Sequence, residues 1–205
     1  MAKKANEYAE LITALAGSSA SAAKELFEVC TDFSSSRLLR AAQVMQQEKK
    51  KAAGLRQALT DRLYREFLPP IAGEDLLLLS HLLFEPVLAA EEALLLMQAF
   101  RPRTVRPELV SVAAPFADAC AKAKDAAGIL FTFKTLPLPC AAVSQISECV
   151  DGFPALYAAA LRRLHDSGDP RAAALWRPVY ACIAHGCTAC RSFADALNGI
   201  ILKNL

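Results

Sequence analysis

From Leu38 to Leu63 one set of side chains recurs at alternating spacings of four and three: Leu38, Ala42, Met45, Lys49, Ala52, Arg56, Leu59 and Leu63. That period is the seam of a left-handed helical bundle. A half-buried strand would need apolar and polar residues to alternate, and no segment shows this convincingly. The same spacing returns in Leu76, Ser80, Leu83, Val87, Ala90, Leu94 and Met97, and near the end of the chain in Trp176, Val179, Ile183, Cys187, Cys190, Ala194, Leu197 and Ile201. Two cations, Lys49 and Arg56, interrupt the first of these stripes.

Capping and breaking residues divide the pattern into six helices. The first carries Tyr8, Leu11, Leu15, Ala22, Leu26 and Cys30 and ends in the Thr31 to Ser36 cluster, whose serines suit the cap of the second. Leu68-Pro69-Pro70 stops the second near Phe67, because proline offers no amide hydrogen and restricts the residue before it. Gly73, Glu74 and Asp75 open the third with negative charge at its positive end. Pro86 predicts a kink in it, and it should end near Phe100. The fourth starts at Pro107 and passes through Leu109, Val112, Phe116, Ala119 and Leu130 to about Phe133, with Pro137 and Pro139 as breaks. The fifth uses Val143, Ile146, Val150, Phe153, Tyr157, Ala160 and Leu164, with a bend at Gly152 and Pro154. Ser167-Gly168-Asp169-Pro170 is a turn, a cap and a first-turn proline. The fold class that follows is all-α, a six-helix antiparallel bundle. Residues 1–103 and 104–205 form two three-helix repeats packed as one compact domain.

Hydrophobic residues make up 54% of the 205 and charged residues 21%, with mean hydropathy +0.26, enough apolar surface to offset chain entropy. A net charge of +2 supplies no long-range field for a polyanion, so nucleic acid is not the expected partner. The greasiest stretch, Leu76 to Phe100, is interrupted by His81, Glu85, Glu91 and Glu92 before about 20 clean apolar residues accumulate, so it reads as a core helix. Seven irregularly spaced cysteines and a polar start without the apolar core of a secretion signal point to a cytoplasmic protein with reduced thiols. Neither a phosphate-cradling glycine loop nor a nucleophile elbow is present, and no enzymatic activity is expected.

The segment Phe67-Leu68-Pro69-Pro70-Ile71-Ala72-Gly73-Glu74-Asp75-Leu76 resembles the link between helices two and three in the PhoU-like accessory proteins of Pit-type phosphate transporters. The closing stretch, from Val179-Tyr180 through Phe193-Ala194-Asp195 to Gly199-Ile200-Ile201-Leu202-Lys203-Asn204, is similar to the last helix of that family. The resemblance implies a regulator that works by contact with a Pit-type permease at the cytoplasmic face of the inner membrane, with homo-oligomers possible.

Members of the wider family carry Glu/Asp-x-x-x-Asp pairs on the inner helices, which hold iron or zinc; one turn of spacing puts two carboxylates on one face. Set against that pattern, the acidic positions fall here on Lys49 and Ala53 in the second helix and on Phe84, Glu85 and Leu88 in the third. They fall on Ser147 and Asp151 in the fifth and on Ala184 and Thr188 in the sixth. Glu85 and Asp151, with neighbouring Glu148, are the surviving acids. A hard cation needs several anionic oxygens to replace its hydration, so the expected protein carries no metal or other cofactor. Lys49 either pairs with Glu85, filling the charge role of the ion, or runs outward along a neighbouring helix.

A second constellation is Cys182, His185, Cys187 and Cys190, since thiolate and imidazole are zinc ligands. The alternative is that Cys187 and Cys190 are small apolar members of the seam and His185 points away from them. His81 and Glu85, one turn apart, form a two-ligand pair or an ordinary surface pair. Three functional classes therefore stand: a non-enzymatic regulator of phosphate transport, a metal-cluster-dependent phosphate-binding or sensing protein, and a thiol-based redox sensor.

Overall fold

The computed structural model describes residues 2–131 and 139–204, with side chains from 6–131 and 141–203. The helices are α1 (Ala2–Thr31), α2 (Ser35–Arg65), α3 (Gly73–Phe100), α4 (Pro107–Ile129), α5 (Pro139–Asp151), α6 (Phe153–Asp166) and α7 (Pro170–Asn204). They make six rods, the fifth interrupted at Gly152 into α5 and α6, and no strand occurs among the described residues. The bend expected at Gly152 and Pro154 falls at the single residue between α5 and α6: Gly152 keeps right-handed helical dihedrals, φ −78 and ψ −11, and Pro154 lies in the first turn of α6, where its missing amide costs nothing. The expected end of the fourth helix near Phe133 and the break at Pro137 lie outside the described residues. Pro139 starts α5.

Local chemistry fixes the ends. Ser34 caps α2 by accepting the Arg37 amide at 3.1 Å. The Asp169 carboxylate accepts the amides of Arg171 at 2.9 Å and Ala172 at 3.2 Å at the start of α7. Gly168 adopts φ +62, the left-handed geometry that only glycine takes without cost. Helix α3 continues through Pro86, which gives the Leu82 carbonyl no amide partner. One residue on, the Ser19 hydroxyl of α1 donates to the Leu83 carbonyl, tying the two helices together at that turn.

The core lies between four long helices, with α3 packed along α7 and α1 along α4. Tyr8, Leu26, Met45, Leu76, Leu83, Phe116, Tyr180 and Phe193 have almost no exposed surface within it. Helices α2, α5 and α6 flank this set. The turn ends fall at two poles. The pole of the α2–α3 turn holds the start of α1 and the end of α7, as the Lys203 to Asp75 ion pair at 2.9 Å requires. The opposite pole holds the α1–α2, α3–α4 and α6–α7 turns.

Candidate functional site

The surviving acids lie along the outer edges of α7. Glu85 on α3 faces it: its Oε2 is 2.8 Å from His185 Nε2, and its Oε1 is 3.4 Å from His81 Nδ1 one turn back. Asp151, at the end of α5, takes Arg191 of α7 at 2.7 Å. His185 and Arg191 are six positions apart, a rise of about 9 Å along one helix, so the two carboxylates belong to separate ion pairs. Glu148 is exposed.

The Lys49–Glu85 pair does not form. Lys49 Nζ lies 2.6 Å from Glu91 Oε2 instead. The reason is register. Helices α2 and α3 run antiparallel, and the Arg56 guanidinium sits 4.8 Å over the Phe84 ring. Seven residues back along α2 is two turns, which brings Lys49 level with residue 91, about 9 Å from Glu85 along α3. Glu91 is the more enclosed partner, with 13% of its side chain exposed against 43% for Lys49. The same packing accounts for both cations on the α2 stripe: one rests on an aromatic face and the other meets a carboxylate. A double-mutant cycle on Lys49→Ala and Glu91→Ala should give a coupling of about 0.5–1 kcal/mol by thermal unfolding. Lys49→Ala with Glu85→Ala should give none.

These residues do not fit the iron or zinc cluster that the family resemblance implies. Lys49 brings positive charge to a position where an anionic ligand is needed, and Ala53, Phe84, Leu88 and Ala184 have no donor atom. Both oxygens of Glu85 face imidazoles, and Asp151 faces a guanidinium. No three histidine, cysteine, aspartate or glutamate side chains converge on a cation position among the described residues.

The thiols do not assemble with His185. Cys187 and Cys190 are buried, whereas His185 is exposed and turned to Glu85. Cys190 Sγ instead meets Cys120 Sγ of α4 at 3.5 Å, a neighbour that the spacing within α7 does not reveal. Burial pushes the Cys182 thiol up to about 12, and the Glu92 charge adds to the effect. Burial likewise raises Cys187, with Cys190 contributing, and raises Cys120 well above the ordinary thiol. Cys187 and Cys190 sit in the middle of α7, far from the helix N-terminus that stabilises a reactive thiolate. They are packing residues.

What remains as a candidate contact is the α2–α3 turn. Tyr64, Phe67 and Leu68 are 86%, 95% and 78% exposed, an apolar projection that the bundle itself does not cover. Behind it the Tyr8 hydroxyl donates to Glu66 at 3.1 Å, and Arg62 pairs with Glu7 and stacks 5.0 Å over the Tyr8 ring. These contacts brace the turn so that its apolar side chains point outward from a fixed base. No helix among the described residues is long and apolar enough to cross a membrane.

Neither a family model nor a curated protein matches the sequence. Among solved structures, the chain is similar to a crystal structure from Shewanella oneidensis MR-1, provisionally described as a PhoU-like phosphate regulatory protein. The TM-score is 0.76 at 14% identity, over 96% of this chain and 99% of that one. At that identity the likeness speaks to architecture, and over nearly its whole length the chain has the all-helical PhoU-like fold.

Proposed function

We propose that the chain is a non-enzymatic, PhoU-like regulator of inorganic phosphate transport that acts by protein contact with a Pit-type permease at the cytoplasmic face of the membrane. The observation that carries this reading is the full-length match in fold to a protein described as a phosphate regulator. The interior supports a contact role over an ion-dependent one: where the family resemblance calls for a carboxylate cage, this chain has apolar side chains and separate ion pairs. The exposed Tyr64, Phe67 and Leu68 offer the apolar anchors that such a contact needs.

The test is uptake of radiolabelled phosphate by cells with and without the chain, in backgrounds with and without the permease. The expected result is a changed uptake rate that requires the permease and is reversed by the Phe67→Ser, Leu68→Ser double variant. An unchanged rate, or a change that persists without the permease, would contradict the reading.

A further inference from the structure

The overall charge is nearly balanced, yet at the pole opposite the α2–α3 turn the charges are not. Acids there are mostly engaged. Arg37 pairs with Glu25 and Glu28, Glu108 takes both Arg106 and Arg163, and Asp169 spends its carboxylate on the cap of α7. Six further arginines at this pole are exposed and have no acidic partner within 4.0 Å among the described residues: Arg40, Arg101, Arg103, Arg162, Arg171 and Arg177. Among the described residues, the further exposed acids set against them are Asp32, Asp166 and, deeper along α3, Glu92.

From this placement we infer that the arginine pole is a binding site for an extended polyphosphate anion. Guanidinium is the side chain for the task, since its planar fork gives two parallel hydrogen bonds to one phosphate and it never loses its charge. The arginines come from four parts of the fold: the second turn of α2, the α3–α4 link, the turn of α6 before its last, and the first three turns of α7. Adjacent helices stand about 8–10 Å apart, so one orthophosphate reaches one or two of these groups, whereas a chain with a charge on every phosphorus can cross several. Between the helix ends lie two shallow hollows, one lined by Phe100, Arg171 and Leu175 and the other by Leu161, His165 and Arg177. Each hollow is largely apolar and carries one guanidinium at its edge, and the second also borders Asp169, so the anion contacts come from the arginines around the hollows. Because the six guanidiniums are not engaged by the protein's own acids, a ligand meets them without first breaking an ion pair. The inference does not rest on the permease contact, which uses the other pole.

The test is fluorescence anisotropy of end-labelled inorganic polyphosphate titrated with the full chain. The wild type is compared with Arg101→Ala, Arg103→Ala, Arg171→Ala combined, and with Lys50→Ala, Lys51→Ala as a charge control on the exposed middle of α2. Circular dichroism confirms that each variant is folded. The expected result is saturable binding that weakens as salt rises. The arginine variant should lose at least about tenfold in affinity and the lysine variant less than about twofold. Absence of saturable binding at low salt, or equal losses in both variants, would overturn the assignment. So would effective competition by phosphatidylglycerol vesicles or by oligothymidylate at matched phosphate concentration, because either would give the pole to a membrane or to nucleic acid.

Discussion

Gly186→Ala is expected to lower stability by about 2–3 kcal/mol, a fall in melting temperature of about 5–10 °C for a chain of this size. In an exposed helix the same change would be favourable by up to about 1 kcal/mol, since alanine restricts the unfolded chain and suits the helix. At Gly186 the new Cβ would collide with the edge of the Phe116 ring, 2.8 Å from Cζ and closer still to its neighbour. Phe116 has no exposed surface, so the ring cannot swing outward, and α7 would have to move away from α4. Gly54→Ala on α2 is the control: nothing lies within 4 Å of its added carbon, and it should stabilise slightly. Adding Phe116→Leu to Gly186→Ala should restore part of the loss. Thermal unfolding by circular dichroism reads all three, and a Gly186→Ala protein that melts with the wild type would mean that α4 and α7 do not cross this closely.

The second large effect is alkaline. Burial raises Cys30 from 9.0 to about 12 and holds Cys120 and Cys187 above 9.0 as well. Above pH 9 the unfolded thiol gives up its proton while the folded thiol keeps it, so the native state binds more protons and stability falls as pH rises. Below that pH the stabilisation from the neutral buried thiols is intact. Cys30 contributes a slope of about 1.4 kcal/mol per pH unit between pH 9 and about 12, and the raised Cys120 and Cys187 act in the same direction. One and a half units above pH 9, the loss from Cys30 alone is about 2 kcal/mol, a large share of the stability of an ordinary domain. Tyr180, raised from 10.0 to about 12 by burial and by the Glu108 charge, steepens the upper part of the range. Urea unfolding from pH 8 upward should show the decline, and Cys30→Ala should shallow it by one proton. A free energy flat across that range would show that these thiols are open to water.

The helices were legible because punctuation and period agreed. Pro69 and Pro70, the Ser34 cap and Asp169-Pro170 are local signals, and each sits at a helix end in the fold. The bend at Gly152 was legible as well, from a glycine with a proline two positions on. Partners between helices were a different matter. Lys49 meets Glu91 because of a register set by how α2 and α3 pack, visible once Arg56 is seen on Phe84. Single positions offer Lys49 either Glu85, about 9 Å away along α3, or an outward course, and neither names Glu91. The neighbour of Cys190 is Cys120, seventy positions earlier, and the periodicity of α7 says only that Cys190 faces inward. His185 could be read as pointing away from the thiols, but its contact with Glu85 needed the α3–α7 register.

The central proposal is that this PhoU-like bundle, with its apolar interior and its ion pairs along the helix edges, works without a resident ion. The direct measurement is elemental analysis of the full chain purified after growth with added iron and zinc, joined to its melting temperature with and without EDTA. The account predicts substoichiometric metal and a melting temperature that the chelator leaves unchanged. Stoichiometric iron or zinc, with a lower melting temperature once it is removed, would contradict it.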